Sequence, residues 1–76
     1  MPSKKINGYV FQFYSSDENE PEHVHVKRSG SVAKIWLADL EVEYNRGYSS
    51  PEVNKILSLT REHRDELLEM WHEHFS

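Results

Sequence analysis

The sequence predicts a small α+β domain in which an antiparallel sheet of four to five strands packs against one long C-terminal helix. An Asn-Gly turn signal near the N-terminus, alternating strand patterns up to residue 44 and helical spacing of apolar residues after Pro51 lead to this prediction. The chain has 76 residues, of which 37% are hydrophobic and 29% charged. This length and composition indicate one globular domain over residues 1–76.

The first strands form a predicted N-terminal hairpin. Asn7-Gly8 supplies the two positive-φ residues of a type I′ turn, so residues 3–6 should pair with residues 9–14. The second of these strands alternates aromatic and other residues, which predicts one buried face formed by Tyr9, Phe11 and Phe13. Residues 15–22 are polar and acidic and are predicted to be a loop.

Three more strands are predicted at residues 23–28, 32–37 and 41–44. Alternation places Val24 and Val26 in the core and His23, His25 and Lys27 on the opposite face. The inward face of residues 32–37 is ambiguous. In the last strand the prediction turns Val42 and Tyr44 inward and Glu41 and Glu43 outward. Turns are predicted at residues 29–31 and 45–47.

A helix is predicted to begin near Ser50-Pro51, with Ser50 as its cap and Pro51 in its first position. Apolar residues then follow helical spacing as far as Phe75. Thr60 and Arg64 interrupt the apolar stripe, so a kink within residues 60–63 is an alternative. Because no glycine or proline interrupts the segment, one long or nearly continuous helix is favoured.

Charge and composition exclude several classes. The net charge of −4 argues against a generic nucleic-acid binder, although residues 1–48 are nearly balanced, with six basic and seven acidic groups. A local basic patch there stays open, with Lys4, Lys5, Lys27, Arg28 and Lys34 as candidates. No cysteine, secretory signal or long apolar run is present, which predicts a cytoplasmic protein that makes no membrane contact. No cofactor is predicted.

Two histidines two residues apart, His23 and His25, are the main candidates for chemistry. On one strand face they could chelate a divalent transition metal. The third ligand could come from the carboxylates of the preceding loop, which are Asp17, Glu18, Glu20 and Glu22. Acid–base cleavage of RNA is a second hypothesis, with His23, His25 and Arg46 as candidate catalytic residues and Tyr44 and Lys27 nearby. The alternative is two solvated histidines on a polar face. Whether the protein is an enzyme stays open.

The segment Phe13-Tyr14-Ser15-Ser16-Asp17-Glu18-Asn19-Glu20-Pro21-Glu22-His23-Val24-His25-Val26, with Ala33-Lys34-Ile35-Trp36-Leu37, resembles a small bacterial and archaeal domain-of-unknown-function family. Asn45-Arg46-Gly47 and Leu67-Leu68-Glu69-Met70-Trp71 also fit it. The family signature resembles E-P-P-H-V-H-V, and Glu22 stands where a second proline is usual. At the position of Thr60 related sequences often have an aliphatic residue, which favours a continuous helix.

This resemblance implies a partner more than a reaction. Members are often encoded beside another small uncharacterised protein, in pairs that resemble toxin–antitoxin units. We therefore expect first a non-enzymatic interaction module that binds a small protein encoded nearby, and RNA or DNA through that complex. A homodimer stays open. The candidate partner-binding residues are His23, His25, Lys27, Asn45 and Arg46, of which all but Lys27 are recurrent polar positions of the family.

Overall fold

The fold is α+β: a five-stranded antiparallel sheet with two C-terminal helices. It was obtained as a computed structural model, which describes residues 3–75. The strands follow one another in the sheet in chain order. The elements are β1 (Ser3–Ile6), β2 (Tyr9–Gln12), a 3₁₀ turn (Ser15–Asn19), β3 (His23–Arg28), β4 (Ser31–Trp36), β5 (Val42–Arg46), α1 (Ser50–Glu62) and α2 (Arg64–Phe75).

Two tight hairpins build the N-terminal part of the sheet. Asn7 and Gly8 have φ values of 51° and 85°, which confirms the first predicted turn. Ser29 and Gly30 repeat this conformation with φ values of 49° and 84° between β3 and β4. The predicted β3 boundaries are confirmed, whereas β2 ends two residues earlier than predicted, at Gln12. The predicted loop that follows contains the 3₁₀ turn.

One face of the sheet carries the core. Phe11, Val24, Val26 and Ile35 are fully buried there against apolar residues of both helices. The ambiguity in β4 is resolved, because Ala33, Ile35 and Leu37 all lie buried on the core side. The alternation predicted for β2 and β3 is confirmed by this arrangement. We call the opposite side of the sheet the outer face.

The prediction that Tyr44 points inward is wrong. The register between β4 and β5 shifts between Lys34 and Ile35, so that Lys34 pairs with Tyr44 and Ile35 with Val42. Such a bulge adds a residue to one strand and reverses the alternation beyond it. Val42 packs against the core as predicted, while Tyr44 lies on the outer face.

The predicted single helix is divided into two, because the chain breaks at His63 between α1 and α2, within the residues 60–63 given as the alternative position of a kink. Thr60 is buried and donates its hydroxyl to the carbonyl of Ile56 at 2.7 Å, a contact that bends helices. Arg64 then donates to the carbonyl oxygens of Leu37 and Ala38 beyond β4. These polar contacts explain a break that occurs without glycine or proline.

The start of α1 lies one residue earlier than predicted. Ser49, and not Ser50, is the cap, and its hydroxyl accepts from the amide of Glu52 at 3.3 Å. Gly47, just before it, has φ of +100°, and a Cβ there would lie 2.4 Å from Oγ of Ser31. Glycine is therefore required at this turn. Within residues 3–75 no helix is long and apolar enough to cross a membrane.

Candidate metal centre

The outer face is formed by side chains that alternate with the core residues along each strand. Strand pairing aligns them in rows across the sheet, and the central row contains Gln12, His25, Lys34 and Tyr44. At one end of the sheet His23 pairs with Trp36. The outer-face side chains are Lys5, Val10, Gln12, His23, His25, Lys27, Val32, Lys34, Trp36, Tyr44 and Arg46.

Three buried groups converge at this end of the sheet, and we call Asp17, His23 and His25 the Asp-His-His cluster. One ligand atom from each of the three lies within 4.8 Å of the other two. Oδ2 of Asp17 lies 3.1 Å from Nε2 of His23 and 3.3 Å from Nε2 of His25. The exposed fractions of the residues are 8%, 0% and 7%, respectively. The alternative of two solvated histidines is therefore wrong.

The ring of His23 has one nitrogen in use and one without a hydrogen bond. Nδ1 lies 2.8 Å from the carbonyl oxygen of Pro21, and because a carbonyl only accepts, Nδ1 must carry the hydrogen. Nε2 has no hydrogen-bond partner within the described residues, although Oδ2 of Asp17 lies 3.1 Å away. A buried nitrogen without a hydrogen bond lowers the stability of the folded protein by about 1–3 kcal/mol.

Aromatic rings enclose His23 on several sides. Its ring lies 5.4 Å from that of Trp36 and 5.1 Å from that of Trp71, measured between centroids. Trp71 belongs to α2 and also packs on Phe13, with centroids 4.8 Å apart. The end of α2 thus closes this side of the cluster, and the more accessible side is that of Asp17 and His25.

His25 contacts Asp17 through one nitrogen and Tyr44 through the other. Its Nδ1 lies 3.3 Å from the Tyr44 hydroxyl, and its ring lies 5.0 Å from that of Tyr14. Burial lowers the pKa of His25, and the nearby Asp17 carboxylate offsets this effect only in part. The imidazole is therefore neutral near pH 7, which is the form that binds metal ions.

Asp17 is held in place by the 3₁₀ turn. Its amide donates to the carbonyl of Tyr14 at 2.9 Å, and its Oδ2 accepts from the amide of Tyr14, also at 2.9 Å. Burial by itself would raise the pKa of the Asp17 carboxyl, but the Tyr14 amide and the imidazoles of His23 and His25 outweigh it, and the net pKa is lowered. Asp17 is therefore an anion near pH 7.

The other predicted site residues have different surroundings. Glu20 lies 2.5 Å from Nζ of Lys34 instead of facing the histidines. Arg46 stacks its guanidinium 4.9 Å above the ring of Tyr44, so it approaches His25 only through that tyrosine. Lys27 bonds the Tyr14 hydroxyl. Asn45 stabilises the turn before α1. Its Nδ2 donates to the carbonyl oxygen of Tyr48, and its Oδ1 accepts from the N–H of Tyr48.

From the sequence, Asp17 is only one of several loop carboxylates that could bind a metal, and Tyr44 is predicted to point into the core. A signal for Asp17 was present, because an acidic residue three positions after Tyr14 is typical of a side chain that caps the start of a helical turn. No comparable signal identified Tyr44, since a bulge in its strand pairing decides its direction.

The comparison with protein families finds one match. The model of the family described as "Domain of unknown function (DUF4160)" matches residues 8–72, which include the 3₁₀ turn and the strand β3 that carry the Asp-His-His cluster. No curated protein and no solved structure matches this chain.

Proposed function

This chain belongs to the DUF4160 family of domains of unknown function, and we propose that it is a transition-metal-binding domain. The ligands are Oδ2 of Asp17, Nε2 of His23 and Nε2 of His25. The observation that carries the proposal is the fully buried Nε2 of His23, which faces a carboxylate without a hydrogen bond. A divalent cation there would bind both Nε2 and the carboxylate, so that each of these buried polar atoms gains a partner.

The separations suit ligands of one metal ion. Zinc bonds to nitrogen and oxygen are about 2.0–2.2 Å long, so two ligands at a tetrahedral angle stand roughly 3.3–3.6 Å apart. The two contacts of Asp17 with the imidazoles, at 3.1 and 3.3 Å, lie close to that range. The two imidazole nitrogens lie within 4.8 Å of each other, so a side-chain movement of at most about 1.5 Å would form the site.

The surroundings of the imidazoles support the same assignment. Metal-bound histidine usually donates its other ring N–H to a carbonyl, a carboxylate or water, and His23 makes this contact with Pro21. For His25, metal binding at Nε2 would move the hydrogen to Nδ1, where the Tyr44 hydroxyl can accept it. Both rings thus have a partner for the nitrogen that does not bind metal.

The donor set indicates the class of ion. Two imidazoles and a carboxylate suit zinc and the neighbouring divalent first-row metals better than calcium or magnesium, which prefer oxygen ligands. Three protein ligands leave at least one coordination position for water or another ligand. The accessible side at Asp17 and His25 is where this position would lie.

The test is thermal unfolding of the untagged protein, first freed of metal and then titrated with Zn²⁺. At about 100 times Kd the ion should add about 2.7 kcal/mol of stability, which corresponds to a rise in Tm of roughly 10–20 °C for a domain of this size. Asp17→Asn should abolish most of this rise while keeping the contact with the Tyr14 amide.

Glu20→Gln is the matched control, since it neutralises a carboxylate of the same loop that contacts Lys34 and not the histidines. It should retain the full rise in Tm. Equal responses of the two variants, or no zinc effect on the wild type, would show that the cluster does not bind zinc.

RNA cleavage by acid–base catalysis stays a prediction, and the burial of His23 argues against it. It needs His23 and His25 to reach an RNA hydroxyl, and His23 is fully enclosed by aromatic rings and neighbouring strands. A substrate could approach His25, Tyr44 and Arg46 more readily. Growth arrest on induction, relieved equally by His25→Ala and His23→Ala, would favour catalysis.

The interaction role is a second proposal, and the sheet edge favours it. No strand among residues 3–75 pairs with the outer edge of β5, and its residues Glu43, Asn45 and Arg46 are exposed. A small protein encoded beside this one could add a strand there. Co-expression of the two genes followed by co-purification tests this role, and a chain that elutes alone at its own monomer size would contradict it.

A further inference from the structure

A basic row crosses the outer face at the end of the sheet away from His23. Strand pairing aligns Lys5, Val10, Lys27, Val32 and Arg46, one residue from each strand. Since neighbouring strands lie about 4.8 Å apart, the three cationic positions follow one another at intervals of roughly 10 Å. Lys5 and Arg46 are exposed and Lys27 is half-buried.

The charges of this row are not neutralised within the protein. Among residues 3–75, none of Lys5, Lys27 and Arg46 forms an ion pair with a carboxylate, whereas Lys4 and Lys34 both do. The helical segment has the opposite balance, with three basic and six acidic residues in positions 49–76. The outer face of the sheet therefore carries a positive strip, although the net charge of the chain is −4.

A shallow groove accompanies the row. It has a volume of about 430 Å³ and extends along the β3–β4 hairpin, with Val10, Val32 and Lys27 among the residues that form it. Half-buried Tyr14 and Tyr44 stand on the same face nearby, one against Lys27 and the other against Arg46. The groove thus has a floor of valines beside cations, and the two tyrosines lie close to it on the same face.

We propose that this row binds the backbone of single-stranded RNA. Phosphates would lie along the three cations, and bases or sugars would contact the valine floor and the tyrosines. An open sheet face suits a single strand whose bases can spread over it, while a duplex groove admits a helix or a ribbon. The Tyr14 hydroxyl accepts from Gln12 and Lys27 and so keeps its own hydrogen, which it could donate to a ribose 2′-OH, and this favours RNA over DNA.

The experiment measures fluorescence anisotropy of a labelled single-stranded RNA of about 12 nucleotides with the full chain over a range of salt concentrations. With three phosphate contacts, log K should fall against log[salt] with a slope of about −2. In Lys27→Gln/Arg46→Gln the slope should become shallower by about 1.4, since two contacts are lost. Circular dichroism verifies that each variant is folded.

Lys55→Gln/Arg61→Gln is the matched control, because it removes the same charge from exposed positions of α1. It should keep the wild-type slope. Equal losses in the two double variants, or no binding at low salt, would overturn the proposal. Equal affinity for DNA of the same sequence, or displacement of RNA by polyglutamate at matched charge, would overturn the assignment to RNA.

The proposal does not depend on the Asp-His-His cluster. Asp17→Asn, which should abolish the zinc effect, should leave the salt slope unchanged both with and without a chelator. If the slope of log K against log[salt] changed when the metal was added or removed, the basic row would not be independent of the cluster. The two proposals can therefore fail independently.

Discussion

Nδ1 of His23 has only a carbonyl oxygen as its partner, and this contact determines which nitrogen of the ring is free. The free Nε2 then faces Asp17 in the interior of the protein, where no other side chain or backbone group of the described residues forms a hydrogen bond with it. His25 differs, since both of its nitrogens have partners. The metal proposal therefore depends more on His23 than on the His-x-His spacing.

Tyr44 offers a test of how the ligands are oriented. Tyr44→Phe removes the hydroxyl that contacts Nδ1 of His25 and leaves the ring under Arg46 in place. Loss of such a partner typically weakens metal binding about 10–100-fold, and we expect a Zn²⁺ affinity lower by this factor with little change in stability without metal. Competition with a chromophoric chelator measures the affinity.

Tyr14→Phe is the control for this change. Its hydroxyl lies on the same face but contacts Lys27 and Gln12 and not a ligand nitrogen. Zinc affinity should stay within about threefold of the wild type, well below the loss expected from a missing ligand partner. If the two tyrosine variants lost affinity equally, Tyr44 would have no specific role in orienting His25.

At the scale of elements, short-range signals predicted most of the sheet. The Asn7-Gly8 turn and the alternation in β3 are local properties, and both appear as expected. The direction of Tyr44 depends on a bulge between two strands, which alternation within one strand does not reveal. The helix break depends on where Arg64 meets the carbonyls beyond β4, a contact between distant parts of the chain.

The same distinction applies to the candidate site. The residue pattern identified His23 and His25 and placed them on one face, because alternation determines that relation. It did not predict their burial, since α2 returns to this end of the sheet and brings Trp71 against His23. The choice of Asp17 over Glu20 depends on the 3₁₀ turn, whose hydrogen bonds direct one carboxylate inward.

The helix break makes a prediction about stability. Arg64 donates to two carbonyl groups just after β4, one of them at 2.6 Å, and joins α2 to the sheet. Arg64→Gln should lower the free energy of unfolding by about 1.5–3 kcal/mol, the range for hydrogen bonds that involve a charged group. Urea denaturation measures the loss.

Arg61→Gln is the comparison, because Arg61 is exposed on the preceding turn of the helix. It should change the stability by less than about 0.5 kcal/mol, as is usual for surface substitutions. If Arg64→Gln were equally mild, the contact with the strand end would contribute little to the placement of α2.

In the whole molecule the two faces of the sheet have different roles. The core face, with both helices, supplies the apolar burial that a chain of 76 residues needs. The outer face carries the polar groups, with the Asp-His-His cluster at one end and the basic row at the other. The basic row uses residues outside the apolar core, whereas His23 of the cluster also packs against Trp36 and Trp71.

The most direct test of the metal proposal observes the imidazole nitrogens by ¹⁵N NMR during addition of Zn²⁺ to the metal-free protein. We expect the Nε2 signals of His23 and His25 to shift together and to saturate at one equivalent, while Nδ1 of His23 keeps its hydrogen. Nδ1 of His25 should gain one. Unchanged signals of His23 and His25, or shifts confined to the exposed His72 and His74, would contradict the account.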